Sequence, residues 1–128
     1  MESENIRSIS LLARECYRLS LPIVADIRPI GERVSGDNYV GCIKLGTSFM
    51  MEAGADALIV PDSEAETQAL IGAWATVPVI VRLEHLPEEG RIQELFALGM
   101  SGIVFSEKVL SVPGFEGRME STRQLVHH

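Results

Sequence analysis

The sequence predicts an α/β protein in which four parallel strands alternate with helices. Short apolar runs alternate four times with segments of helical periodicity. These runs are continuous and lack the apolar–polar alternation of a half-exposed strand, which is typical of a parallel sheet covered by helices. The chain of 128 residues contains no linker and no low-complexity tract. We therefore expect a single domain over residues 1–128.

The first half of the chain predicts two helices and two strands. Residues 4–19 are predicted to form an amphipathic helix, because Ile6, Ile9, Ala13 and Cys16 recur at helical spacing. The elements that follow are a strand at 21–27, a loop at 28–38, a helix that begins at Tyr39 and ends at Gly54, and a strand at 57–61.

The second half repeats the same strand–helix unit. Ser63 and Glu66 form an S-x-x-E pattern, which is typical of the capping box at the start of a helix. Gly99 marks the end of the next helix, since glycine readily adopts the backbone conformation that closes a helix. The remaining predicted elements are strands at 77–83 and 102–106, and a last, more polar helix at 117–127.

Composition and charge narrow the classes of function. The net charge of −7 argues against nucleic acid and anionic membranes as partners. No apolar run approaches the roughly 20 residues that a membrane-spanning helix needs. The polar start of the sequence, "MESENIRSIS", is unlike a secretory signal. We therefore expect a cytoplasmic protein that does not act on membranes or nucleic acid.

Polar side chains follow the predicted strands, and the carboxyl ends of parallel strands meet at one rim. The predicted rim residues are Asp26, Arg28, Asp62, Arg82, Glu84, His85 and Lys108. They form either a site for a small charged ligand, with His85 as an acid–base group, or a solvated rim with internal ion pairs such as Arg28 with Asp62. Ser63 is interpreted as a helix cap and not as a nucleophile. We expect no metal and no cofactor, because no cluster of ligand residues is apparent.

Several segments resemble one enzyme family. The segments are "LPIVADIRPIGERV" (21–34), "EAGADALIVP" (52–61), "VPVIVRL" (77–83), "ALGMSGIVFSEKVL" (97–110) and "STRQLVHH" (121–128). Their order is similar to that in archaeal-type class I fructose-bisphosphate aldolases and their DeoC-like relatives, which are (β/α)8 barrels. The resemblance implies that this chain corresponds to the carboxyl half of a TIM-type barrel. A flavodoxin-like flattening of the sheet is the alternative.

The same resemblance places the family's reactive positions in this chain. The Schiff-base lysine of the sixth strand, in a phrase like "GADIIKVP", corresponds to Ile59. Asp26 and Arg28 stand where the fifth strand of the family carries two aromatic residues, one of them a proton donor. The phosphate-binding phrases "AGG" and "GRN" correspond to "RLE" (82–84) and "SEK" (106–108). The resemblance therefore implies that no catalytic residue of the aldol reaction is present.

Half a barrel leaves the inner wall and two strand edges uncovered. The inward positions are expected to include Val24, Ala57, Ile59, and either Ile103 or Phe105. Each large apolar side chain left in water forfeits roughly 1.5–3 kcal/mol, and unpaired edges invite association. Three arrangements relieve this exposure. The chain forms a homo-oligomer, a complementary half-barrel chain covers it, or the first helix lies over the open face of a flattened sheet.

Three functions remain open at this point. The first is a non-catalytic, aldolase-like protein that acts by oligomeric assembly or by binding a small anionic metabolite. The second is a class I aldolase-type lyase whose active site is completed by another chain. The third is a receiver-like signalling domain, because "VADIRP", "LIVPDS" and "SEKVL" resemble receiver strands. In that case Asp26, Asp62 and Lys108 would form the acidic pocket and its lysine.

Overall fold

The computed structural model describes residues 3–28, 38–110 and 117. The helices in these ranges are α1 (Ser3–Arg18), α2 (Tyr39–Ala53), α3 (Ala65–Trp74), α4 (Arg91–Ala97) and α5 (Glu107–Leu110). The strands are β1 (Val24–Asp26), β2 (Ala57–Pro61), β3 (Val79–Leu83) and β4 (Gly102–Phe105). The predicted alternation of strands and helices is confirmed. Most of the predicted loop at 28–38 and nearly all of the predicted helix at 117–127 lie outside the described residues.

The strands form one parallel sheet in the order β1-β2-β3-β4. Each strand therefore lies beside the strand that precedes it in the chain, as in the wall of a barrel. A doubly wound fold such as a receiver or flavodoxin places its first strand inside the sheet, between the second and third strands. In the described part of this chain β1 is at an edge of the sheet. The receiver-like and flavodoxin-like alternatives are therefore wrong about the sheet.

One face of the sheet carries the hydrophobic core. Its largest fully buried apolar side chains are Ile43, Leu58, Val60, Ile71, Val79, Val81, Leu95 and Val109. Leu58, Val60, Val79 and Val81 alternate along β2 and β3, so they all point to the same side, where α2, α3 and α4 pack. Each burial of this kind contributes about 1.5–3 kcal/mol. This face is the outer, helix-covered face of a barrel wall.

Helix α1 belongs to the helix layer. It packs against α2, and the two helices approach closely at Gly54, where an added Cβ would lie 3.0 Å from the Cβ of Ala13. Gly54 also ends α2 with a φ of 108°, a left-handed conformation that favours glycine. The arrangement in which the first helix lies over the open face is therefore wrong.

The opposite face of the sheet, called the open face below, carries alternate residues of the strands. By register these are Val24, Asp26, Ala57, Ile59, Pro61, Ile80, Arg82, Gly102 and Val104. Val24 at one edge is 53% exposed and Val104 at the other edge is 37% exposed. The prediction of Ile103 or Phe105 on this face is wrong, because both pack against the core on the helix side. The inward positions predicted at Val24, Ala57 and Ile59 agree with the register.

Candidate functional site

A buried arginine lies at the centre of the open face. Arg82 points out from β3 on the open face, yet it is only 8% exposed. Its Nη1 donates to the carboxylate of Asp26, and its Nε donates to Oε1 of Glu84 at 3.3 Å. A guanidinium is stable in such a place only when carboxylates compensate for its lost hydration. Arg82 is therefore the anchor of an ion-pair cluster.

Asp26 joins two guanidinium groups. Besides Arg82, it accepts a hydrogen bond from Nε of Arg28 at 2.8 Å. Asp26 is on β1 and its neighbours by register are Ile59 and then Ile80. The side chain nevertheless reaches Arg82, which lies two residues beyond Ile80. The contact therefore runs diagonally across the sheet, and the length of the Arg82 side chain spans the offset.

Glu84 completes the cluster at the rim. Its carboxylate accepts from Arg82 and lies 4.0 Å from Nζ of Lys108. The pKa of Glu84 is lowered from its ordinary value of 4.5, first by the nearby Ser106 hydroxyl and then by Arg82 and Lys108, while desolvation acts in the opposite direction. The Ser106 hydroxyl is buried and approaches the carboxylate without the geometry of a full hydrogen bond. Glu84 is therefore held as an anion.

These side chains surround a depression of about 570 Å³, called the central depression below. Its lining consists of Asp26, Arg28, Ile59, Arg82, Glu84, Val104, Phe105, Ser106, Glu107 and Lys108. Ile59 and Val104 supply its apolar part. The lysine of this lining is Lys108, whose side chain is 82% exposed at the rim. Lys44 belongs to α2 in the helix layer. An amine desolvated enough for Schiff-base chemistry is therefore not part of this lining.

A second depression of about 770 Å³ lies where β2 and β3 lead into α3 and α4. Asp62 and His85 line it together with Arg91. Arg91 donates from Nη2 to Oδ1 of Asp62 at 2.7 Å and to Oε1 of Gln68 at 3.0 Å. The predicted Arg28–Asp62 ion pair is therefore wrong, because each residue has a nearer partner.

The start of α3 also differs from the sequence prediction. The helix begins at Ala65, and its N-cap residue Glu64 makes no side-chain cap hydrogen bond. The hydroxyl of Ser63 is buried without a hydrogen-bond partner. The carboxylate of Asp62 instead accepts from the Ser63 N–H at 3.0 Å and from Nε2 of Gln68 at 2.7 Å. The predicted Ser63–Glu66 capping box is therefore wrong.

The predicted rim residues thus divide into two groups. Asp26, Arg28 and Lys108 line the central depression, whereas Asp62 and His85 line the second one. Arg82 and Glu84 contribute to both.

Sequence reasoning missed Arg91 and the fully buried Gln68. The sequence offered only one signal for Arg91, its position directly after Gly90 at the start of a helix.

The described residues include no group of three or more His, Cys, Asp and Glu side chains arranged to hold a metal ion. Among the helices of residues 3–28, 38–110 and 117, none has the length and apolar character required to cross a membrane.

Comparison with known proteins identifies the fold. No protein-family model matches the chain, and no curated protein matches it in sequence. Solved structures do match. An archaeal fructose-1,6-bisphosphate aldolase with its catalytic lysine bound to the carbinolamine intermediate superimposes with a TM-score of 0.78 at 17% identity. A second archaeal fructose 1,6-bisphosphate aldolase gives 0.76 at 19% identity. A candidate phosphonomutase from Burkholderia cenocepacia gives 0.62 at 18% identity.

These superpositions cover nearly all of this chain but only half of the other proteins. The covered share is 96%, 95% and 95% of this chain, against 52%, 51% and 48% of the three structures. The chain therefore spans about half the length of the structures it matches. Its fold is a half of an aldolase-type TIM barrel, as the resemblance in sequence implied. Identities of this size show the fold alone, and a fold of this kind supports many chemistries.

Proposed function

We propose that this chain is a cytoplasmic, non-catalytic half barrel that binds a small anionic metabolite once a second half barrel covers its open face. The observation that carries the proposal is the position of Ile59. It lies in the lining of the central depression, and the resemblance assigns this position to the lysine that forms the Schiff base. A hydrocarbon side chain cannot attack a carbonyl carbon. The depression is therefore suited to holding a ligand and not to cleaving it.

The two exposed cations at the rim of the central depression would recognise a small anion, while the carboxylates of the lining, Asp26, Glu84 and Glu107, balance the charge in its interior. Arg28 and Lys108 lie at its rim with side chains that are 58% and 82% exposed, so both can turn toward an incoming phosphate or carboxylate. Arg82 stays anchored by Asp26 and Glu84 below them. An anion would exchange the exposed ion pairs for its own, and such exposed pairs are worth only about 0–1 kcal/mol each.

Covering the open face is part of the proposal, because the central depression is shallow and wet without it. Water weakens every ion pair across an open surface, whereas a closed barrel interior strengthens it. The aldolase structures above are about twice as long as this chain. Exposed Val24 and Val104 at the two edges also favour a covering partner.

Borohydride trapping tests the absence of Schiff-base chemistry. The purified chain is incubated with fructose 1,6-bisphosphate and sodium borohydride, and its intact mass is measured. We expect no reduced adduct on Lys44 or Lys108, the two lysines of the chain. An adduct on either one, accompanied by aldol cleavage, would contradict the proposal.

Calorimetry tests the anion site. Citrate and inorganic phosphate are titrated into the wild type and into an Arg28→Gln/Lys108→Gln variant. We expect binding that weakens at least tenfold in the variant. A matched control is Arg14→Gln/Arg18→Gln on α1, which removes the same charge far from the depression. Equal weakening in both variants would mean that only net charge matters.

A second candidate function is a lyase whose active site is completed by another chain that brings the lysine. Its support is the half-length match to an aldolase that has a catalytic lysine of its own. The complex purified from the native host would then cleave fructose 1,6-bisphosphate, and borohydride would label the other chain. A complex without activity, or a label on neither chain, would reject this candidate.

A further inference from the structure

We propose that the covering half barrel is a second copy of this chain, so that two chains close one eight-stranded barrel around a two-fold axis along its centre. In this arrangement β4 of each copy pairs in parallel with β1 of the other. The inference rests on the proposed function for the need of a covering half, and it adds the identity of that half and the register of the junction.

The stagger of the strands agrees with closure after eight strands. A closed barrel of this kind has a shear of 8, which is about one residue of stagger for each strand. The Asp26–Arg82 ion pair joins side chains of β1 and β3 that are two residues out of register. This diagonal contact is compatible with that stagger. The curvature itself follows from the superposition of the sheet on about half of an aldolase barrel, with a TM-score of 0.78, so four strands span half of the circle.

The stagger also fixes the register of the junction. Val24 of β1 is paired with Ala57 of β2. Extending the register toward the start of the next two strands pairs Ala57 with Pro78, and Pro78 with Met100. Four strands accumulate a stagger of about four residues. The next strand, β1 of the second copy, then places the partner's Ser20 beside Met100. Four residues further along both strands, the partner's Val24 lies beside Val104.

The main-chain groups at the two edges are compatible with this register. Ile27 donates its N–H to Ile59, and Ile23 accepts from Ala57. Main-chain groups of successive residues point to opposite sides of a strand. The N–H and C=O of Val24 therefore point away from β2, toward the outer edge of the sheet. On β4, Ser106 donates to Leu83, so the groups of Ile103 point outward. In the proposed junction the N–H of the partner's Val24 donates to the carbonyl of Ile103.

The exposed apolar side chains agree with this arrangement as well. Val24 and Val104 are both exposed on the open face, at opposite edges, and the proposed register places them together. Leu11 and Leu12 of α1 are 54% and 58% exposed. Because α1 belongs to the helix layer beside β1, it would lie next to β4 of the second copy and cover Ile103 and Phe105 from outside. The closed barrel would also contain two Asp26–Arg82 pairs, one from each copy.

Disulfide cross-linking tests the register directly. Val24→Cys and Val104→Cys are introduced together into a Cys16→Ser/Cys42→Ser background, and the protein is oxidised gently. Adjacent strands place paired Cα atoms about 4.8 Å apart, which is within the range for a disulfide. We expect most of the chain to migrate as a covalent dimer of twice the 14.0 kDa chain mass.

Matched controls distinguish this junction from random contact. Each cysteine alone should not cross-link, since two copies of one residue lie across the barrel from each other. Val24→Cys with Leu70→Cys is the spacing control, because Leu70 is exposed on α3 away from the junction. Equal cross-linking in the spacing control would overturn the register. A ladder of trimers and larger products would overturn the closed ring, since only an open chain of subunits produces it.

A proline variant gives a second measurement that does not need cysteine. Val24→Pro removes one outward N–H but leaves the hydrogen bonds of Ile23 and Ile27 to β2. We expect light scattering to give a monomer of 14.0 kDa for this variant and twice that mass for the wild type. Circular dichroism should show that the variant is folded. A wild type that is a monomer, or a Val24→Pro variant that stays dimeric, overturns the inference. The borohydride experiment is independent of the dimer. A trapped adduct with aldol cleavage would reject the proposed function but would not contradict the two-fold barrel.

Discussion

The Asp26–Arg82 ion pair allows an asymmetric prediction about stability. Arg82 has a side chain that is only 10% exposed, whereas that of Asp26 is 35% exposed. Removing the carboxylate from a fully buried pair typically destabilises by about 3–5 kcal/mol, because the remaining charge is uncompensated. Asp26 is more than a third exposed to solvent screening, and Glu84 still contacts Arg82. We therefore expect Asp26→Asn to destabilise by a smaller amount, about 1–2 kcal/mol.

The reverse substitution is expected to be milder. Arg82→Met keeps a long apolar side chain in the sheet and leaves Asp26 with Arg28 and water. Replacing a buried charge by a well-packed apolar residue is often close to neutral, so we expect a loss below about 1 kcal/mol. In the double variant Asp26→Asn costs little, because the charge that it compensated is gone. The coupling free energy should therefore reach about 1 kcal/mol.

Urea unfolding at a fixed protein concentration measures the stability of the wild type, the two single variants and the double variant. With a slope of about 2 kcal/mol per molar urea, Asp26→Asn should lower the midpoint by roughly 0.5–1 M. Fixed concentration matters, because the stability of a dimer depends on it. The reasoning is refuted if Arg82→Met destabilises more than Asp26→Asn, or if the two effects add to within about 0.3 kcal/mol.

Three further predictions concern packing, pH and chemistry. Gly72→Ala should destabilise by about 1–3 kcal/mol in thermal unfolding, because its Cβ would overlap the main-chain oxygen of Leu98; Gly41→Ala, with open space around it, should be neutral or stabilising by up to about 1 kcal/mol. The lowered pKa of Glu84 stabilises the fold above its ordinary value of 4.5, and this part is lost as the pH falls through the lower folded value. In the Glu84→Gln variant the urea midpoint should therefore fall less steeply than in the wild type as the pH is lowered through the acid range. An equal fall in both proteins would contradict the assignment. Ile59→Lys should gain a borohydride-trapped adduct with fructose 1,6-bisphosphate, and no adduct would show that the depression does not admit a ketone.

The sequence was sufficient for most of the fold, because each element carried its own local signal. The apolar runs predicted all four strands, and β2 at 57–61 agrees to the residue. Gly54 and Gly99 were predicted to end helices and both have positive φ values, 108° and 97°. Such signals are short-range, so they can be seen without knowledge of the partners in space.

The errors share a different cause. Whether a residue of β4 faces the helices or the open face depends on the register, and a shift of one residue exchanges the two faces. A continuous apolar run such as 102–105 contains no alternation from which to determine it, so the prediction of Ile103 or Phe105 on the open face was wrong. The ion pairs failed for a related reason. Arg28 pairs with Asp26, two residues before it in sequence, while Asp62 pairs with Arg91, and only the folded structure shows which of these partners is in reach.

The residues of the candidate site could be predicted from the sequence, but their arrangement could not. Residue types and strand ends were sufficient to select the charged rim, because carboxyl ends of parallel strands meet at one edge. They could not show that the rim holds two depressions, nor that Arg91 would pair with Asp62. Arg91 lies 29 residues beyond Asp62 in sequence. Only the packing of α4 beside α3 brings the two together.

The mass of the unmodified chain in solution tests the central claim most directly. Light scattering or sedimentation should be recorded over at least a hundredfold range of concentration. The account predicts a particle of twice the 14.0 kDa chain mass that remains intact on dilution, because two half barrels cover each other's open face. A stable, folded particle of 14.0 kDa at every concentration would contradict it.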